Sequence, residues 1–189
     1  MRVEDFMYAD VTVAQKGSTV AETRDLMDQE HFRIIFVVDE GGRLAGFLTY
    51  DALKDRPDDK EIDSFLARST LVAQINDPID KAVSLIKDHN LMVLPVVDEE
   101  RRVQGVLTPG KIFEDLTELL SFGEGGFWIT LESVTMEELI GVLEIFDSTG
   151  TELQNVIRID GREAPQVVLK AGEVQDKGRL MELLQEVVS

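Results

Sequence analysis

IIFVVDEGGRLAGFLT, residues 34–49, and VLPVVDEERRVQGVLT, residues 93–108, are two versions of one stretch, and they decide the fold. The offset between them is 59 residues, and it holds without a gap from residues 3–53 onto 62–112. Phe6 falls on Phe65, Val13-Ala14-Gln15 on Val72-Ala73-Gln74, Gly46 on Gly105, and Leu48-Thr49 on Leu107-Thr108. Such a repeat means that each copy is one supersecondary unit with an incomplete core, so two copies must pack face to face. The runs Ile34–Val38 and Met92–Val97 are continuously apolar, as suits strands buried on both faces.

Outward from these strands, both copies read β-α-β-β-α. An extended piece (Val11–Val13; Leu71-Val72) leads into a helix. Thr19 and Glu22 fit a capping box, and Asp77 precedes Pro78 at an expected first helical position. Apolar positions Val20, Thr23, Leu26, Met27 and Ile79, Ala82, Val83, Leu85, Ile86 have helical spacing. The turn Asp39–Arg43 carries hairpin glycines; Asp98–Arg102 is its polar counterpart. The expected limits are 1–61 and 62–122, followed by a Gly-rich linker, 123–126.

Residues 127–189 follow another β-α-β-β-α pattern. It has a strand Phe127–Leu131, then a capping box Thr135/Glu138. A helix face follows at Met136, Leu139, Ile140, Leu143 and Phe146. Strands 153–159 and 166–169 are joined by a hairpin at Asp160-Gly161-Arg162, and a last helix shows Leu180, Leu183, Leu184 and Val187. Phe127 and Trp128 read as core or interface. The fold class is α/β (α+β).

Composition narrows the function. The net charge of −18 opposes binding to nucleic acid or an anionic membrane, since both need clustered cations. No apolar run reaches a membrane span, and the acidic start MRVEDFMYAD does not read as a signal peptide, so a cytoplasmic protein is expected. The absence of cysteine excludes thiol chemistry and Cys-ligated zinc. No paired acid–base carboxylates, nucleophile elbow or Walker loop occurs, so no enzyme is expected and no catalytic residue is assigned. Asp55, Asp58, Asp59, Glu61 and Asp63 cluster between the copies, but at no metal-loop spacing; a solvated linker is expected, with no metal site. His31 and His89 sit near helix ends, where the dipole favours a cation, and read as caps.

The apolar strand ending in Val-Val-Asp, the Gly-apolar-Leu-Thr step and the gapless duplication together resemble a tandem CBS-domain pair. The tail resembles a ferredoxin-like, ACT-type ligand-binding domain. The combination is similar to the acetoin-utilisation AcuB-type bacterial proteins. The resemblance implies a regulatory disc-like module whose clefts take AMP, ATP or S-adenosylmethionine as effector, with no cofactor required. It implies a homodimer through the CBS helices, with the ACT-like domain as a second surface. The residues it places at the clefts are Thr12, Val13, Arg33, Ile34, Ile35, Phe36 and Thr49 in one copy. In the other they are Val72, Val93, Leu94, Pro95, Thr108 and Lys111.

Two departures pull the other way. The family's step Gly-x-x-Thr/Ser-x-x-Asp holds ribose hydroxyls with its carboxylate, but Ala52 and Lys111 occupy that position here. Lys111 and Arg33 are instead candidates to meet a phosphate. The ACT loop, Asp-x-x-Gly in the family, reads Glu132-Ser-Val-Thr-Met-Glu-Glu, and the usual last strand is missing, so this domain reads as an assembly surface. The competing expectation is a scaffold whose clefts no longer bind ligand.

Overall fold

The computed structural model describes residues 1–68, 71–160, 164–174 and 176–188. The chain forms two compact units, Met1–Asp115 and Leu116–Ser189. The first contains β1 (Ala14–Gln15), α1 (Val20–Gln29), β2 (Ile34–Val38), β3 (Leu44–Thr49) and α2 (Tyr50–Leu53). It continues with β4 (Ala73–Gln74), α3 (Ile79–His89), β5 (Leu94–Val97), β6 (Val103–Leu107) and α4 (Pro109–Leu119), which runs past the division. Each copy has a three-stranded sheet, β1-β2-β3 and β4-β5-β6, with the first pair parallel and the second antiparallel.

The continuous apolar strands have two packed faces. On one face of the first sheet, Ile35, Val37 and Leu48 pack with Val20 and Met27 of α1 and Leu53 of α2. On the other, Phe36 and Leu44 meet Val97 of the second copy. Alternation therefore exists, but both sides are apolar because both sides are buried.

The copies also exchange their leading segments. Ile62, wholly buried, belongs to the core of the first copy, and its N–H donates to Ser18 O at 2.9 Å. At the equivalent place Val3, also wholly buried, donates to Asp77 O at 3.0 Å. Phe47 and Ala67 exchange two backbone hydrogen bonds at 2.9 and 3.1 Å, and Tyr8 and Val106 exchange two at 2.9 and 3.0 Å. The turns join across the same pseudo-two-fold, with Leu44 N–H on Arg101 O and Val103 N–H on Gly42 O. Gly42 and Arg101, equivalent under the repeat, both have positive φ (75° and 62°).

The Thr19/Glu22 box forms as the spacing predicts. Pro78 is a correction. It stands at the N-cap with extended ψ, and α3 begins one residue later. Asp77 closes the turn instead, accepting from Gln74 N–H at 3.0 Å and Lys81 Nζ at 2.9 Å. Burial pushes its carboxyl up, but these bonds outweigh that and leave it below the usual range. The short extended pieces also pair later than expected, at 14–15 and 73–74.

The second unit contains β7 (Phe127–Glu132), α5 (Met136–Thr149), β8 (Leu153–Asp160), β9 (Pro165–Ala171) and α6 (Lys177–Val187). Its sheet is wholly antiparallel in the order β7-β9-β8. Asp160 ends β8 with exposed side chain, while Gly161 and Arg162 of the expected hairpin lie outside the described residues. Ile129, Val167 and Leu169 pack with Val142 and Phe146 of α5 and Leu180 and Leu184 of α6. The expected α5 face is half right. Leu139 and Phe146 face the core, but Met136, Ile140 and Leu143 are exposed. Val142 and Ile145 take their place, because α5 carries two apolar stripes and the sheet with α6 covers one. Trp128 stacks tilted on Phe122 at 5.4 Å, and the buried Lys170 lies over its ring.

The Thr135/Glu138 box of α5 is complete: Glu138 N–H donates to Thr135 Oγ1 at 3.2 Å, and Thr135 N–H to Glu138 Oε2 at 2.7 Å. These bonds hold the Glu138 carboxyl below its ordinary value. A depressed folded value stabilises fully above pH 4.5, the ordinary value, and that stabilisation is lost as pH falls through the lower folded one. Thr135→Ala should cost about 1 kcal/mol, measured by urea denaturation at neutral pH. The deficit of the variant should shrink in part on acidification below the folded value. Protonation weakens the bond from Thr135 Oγ1 to Glu138 Oε2 that only the wild type has, while the Thr135 N–H bond is common to both.

Candidate functional site

Two cavities open where the sheets of the two copies meet, and the 59-residue shift relates them. The first, about 380 Å³, is lined by Val11, Thr12, Phe32, Ile34, Phe36, Met92, Val93 and Val106, with polar groups from Tyr8, Asp10, His31, Arg33 and Thr108. The second, about 350 Å³, is lined by Ile34, Phe36, Phe47, Leu71, Leu91, Met92, Val93 and Pro95, with Arg68 and Asn90. Both volumes lie in the range of small-molecule pockets, which are mostly apolar with a few placed polar groups.

Strand alternation sorts the expected cleft residues. Thr12, Arg33, Ile34, Phe36, Val93 and Thr108 line the first cavity; Ile34, Phe36, Val93 and Pro95 line the second. Ile35 and Leu94, the alternate residues, point away into the cores and are almost wholly buried. Val13 and Val72 pack against Phe36, Leu44 and Val97. Thr49 lines neither cavity; its hydroxyl caps α2 by accepting from Ala52 N–H at 3.3 Å. The equivalent Thr108 accepts from Lys111 N–H at 3.1 Å and still reaches the first cavity.

Lys111 stands beside that cavity without lining it. Its ammonium pairs with Asp115 one helical turn on and lies 5.6 Å from the Tyr8 ring. The hydrogen bond to Asp115 raises its pKa, against partial desolvation. The other Asp115 oxygen is buried without a partner among the described residues. Arg33 is different: it lies 5.6 Å from the Tyr50 ring centroid and forms no ion pair among the described residues.

Tyr8, Asp10, Met92 and Arg68 were not legible as cleft residues, because they come from the exchanged segments and the strand approaches. His31 had a signal that was read otherwise. It aligns with Asn90, and both adopt positive φ (58° and 50°), so the chain reverses there and turns the side chain to the cavity. In the acidic connection, Asp58 pairs with Arg24, while Asp63 accepts Gly17 N–H at 2.9 Å and lies 3.5 Å from Lys16. Among the described residues no group of carboxylates and histidines could hold a metal, and no helix is long and apolar enough to cross a membrane.

A sequence model described as the CBS domain matches residues 3–58 and 62–118. L-aspartate semialdehyde sulfurtransferase of Methanocaldococcus jannaschii is 27% identical over 119 residues, covering 62% of this chain. The match spans only 23% of that enzyme. Among solved structures, a CBS domain pair/ACT domain protein from Thermotoga maritima is 28% identical with a TM-score of 0.58, covering 64% of this chain and 99% of that one. The CBS domain pair of protein MJ0100, in complex with 5'-methylthioadenosine and S-adenosyl-L-methionine, shares the fold at 23% identity and a TM-score of 0.53, over 62% and 97% of the two chains.

Proposed function

This chain belongs to the CBS domain family, and on that premise we propose that it is a regulatory ligand-sensing module. Its paired repeats take an adenosine-containing nucleotide or a related small molecule between them. The observation that carries this reading is the first cavity, where an apolar wall ends in a guanidinium, an imidazole, a carboxylate and two threonine hydroxyls. A CBS pair of the same fold holds adenosine compounds, which makes AMP, ATP and S-adenosylmethionine the effectors to try first. Regulation requires that the ligand prefer one of two arrangements of the repeats, since equal affinity shifts nothing.

The remaining assignments belong to the same proposal. The repeats occupy 1–61 and 62–122, and residues 127–189 form an ACT-like assembly domain, as in AcuB-type proteins. The module is a cytoplasmic homodimer without catalytic activity of its own. The scaffold reading is favoured by one observation: Ala52 and the Asp115-paired Lys111 leave no carboxylate at the expected ribose position.

A thermal-shift screen of the full chain against AMP, ADP, ATP, S-adenosylmethionine and NAD separates the two. Ligand at about 100 times its Kd adds roughly 2.7 kcal/mol to folding stability and a clear rise in Tm. A rise with an adenosine compound supports the sensor; a flat response to all of them supports the scaffold.

A further inference from the structure

The two cavities descend from one duplicated unit, yet they no longer carry the same chemistry. Arg33 of the first cavity corresponds to Met92 in the second copy, Thr12 to Leu71, and His31 to Asn90. Tyr8 corresponds to Ala67, and Thr49, the counterpart of Thr108, lines neither cavity. Among the described residues the second cavity has one cation, Arg68, one amide, Asn90, and no carboxylate or hydroxyl. The first has Arg33 and His31 at one place, both also bordering the recess with Asp28 and Tyr50, and adds Asp10, Thr12 and Thr108.

Resting on the sensor reading above, we infer that the chain takes one nucleotide per chain, in the first cavity. Its phosphate is selected by Arg33, with His31 beside it. A nucleoside phosphate needs three things at once: an apolar slot for the base, an acceptor for hydroxyl donors, and a cation for the anion. Ile34, Phe36, Met92 and Val93 supply a slot to both cavities. Among the described residues Asp10 supplies a carboxylate acceptor to the first cavity and the second has none, and an ionised carboxylate makes strong bonds to hydroxyls. Asp10 thus gives the first cavity the acid that positions 52 and 111 lack.

Arg33 is the specificity-determining residue because it is a cation available to a ligand. Its guanidinium fork matches a phosphate and has no carboxylate to release first. Lys111 would have to leave Asp115, stranding a part-buried acid. In a chain of net charge −18, a guanidinium with no ion pair among the described residues, at a cavity mouth, is what makes an anion welcome there. The repeat itself suggests the substitution that tests this, Arg33→Met, which writes the second copy's residue into the first.

The experiment is titration calorimetry of AMP and of adenosine into the full chain and into Arg33→Met and Arg68→Met. The expected stoichiometry for AMP is about one per chain, with adenosine weaker by roughly ten- to a hundredfold, the worth of a hydrogen bond to a charged group. Arg33→Met should weaken AMP by the same factor and leave adenosine unchanged, a split that general loosening of the cavity would not produce. Arg68→Met should leave both unchanged. Two AMP per chain, or AMP affinity lost in Arg68→Met and kept in Arg33→Met, would overturn the inference while leaving the sensor reading intact. Equal affinity for AMP and adenosine would remove phosphate selection by Arg33. No binding of either compound would overturn the inference, and a flat screen with every adenosine compound would overturn the sensor reading as well.

Discussion

Gly46→Ala and Gly105→Ala are each expected to destabilise the first unit by about 2–4 kcal/mol. The two glycines occupy the same place in the repeat, and in both the added Cβ would fall 2.5 Å from a backbone carbonyl oxygen, of Ala67 and Tyr8 respectively. Overpacking against backbone costs roughly 1–3 kcal/mol, because neither partner can swing away as a side chain could. The shift also strains the reciprocal hydrogen bonds 47–67 and 106–8, each worth about 1 kcal/mol net. Neither glycine has positive φ, so the cause is close approach rather than backbone conformation. Urea midpoints of the two variants would measure the cost. A loss below about 0.5 kcal/mol, ordinary for a surface position, would mean that the exchanged segments are not held as described. The two variants should also differ in kind, since Gly105→Ala displaces Tyr8 of the first cavity and Gly46→Ala displaces the approach to Arg68 of the second.

How far the sequence carried this structure can be judged at those positions. The shift that aligns Gly46 with Gly105 identified the repeat, the element order and the packing of one copy on the other, because duplicated apolar patterns leave few ways to be buried. It did not reveal the exchange of leading segments. Val3 and Ile62 sit in short helical turns, and nothing in their local pattern says which copy they complete. Ile34, Ile35 and Phe36 show the same limit within a strand. Both faces are apolar, so period-two alternation is invisible until the sheet is oriented, and Ile35 was assigned to a cleft it turns its back on. Arg33 and Thr12 were named through the resemblance of the repeat to a CBS pair, and both line the first cavity. Asp10 was not, lying on a segment whose course depends on the glycine crossing. On α5, two apolar stripes were available, and only the tertiary arrangement selects the one containing Val142.

Phe36 joins the stability of the module to its ligand site, and Phe36→Ala should have the largest effect of any substitution considered. The ring is 5% exposed, packs with Leu44 and Val97 where the copies meet, and walls both cavities. Phe-to-Ala substitutions in cores cost about 3–5 kcal/mol, combining lost transfer free energy with the void left behind. Here the void lies between two cavities, so it should merge them and let water reach the inter-repeat contact, favouring the upper part of that range. Denaturation in urea with and without saturating AMP separates the two roles of the ring. The apo variant should lose the full amount. The increment from AMP should also fall, since base stacking and the cavity wall are lost together, whereas Leu48→Ala, buried in the first copy's core away from the cavities, should lose stability and keep its AMP increment. An unchanged AMP increment in Phe36→Ala would place the ligand elsewhere, and a cost below about 1 kcal/mol would mean that the copies do not depend on this face for their packing.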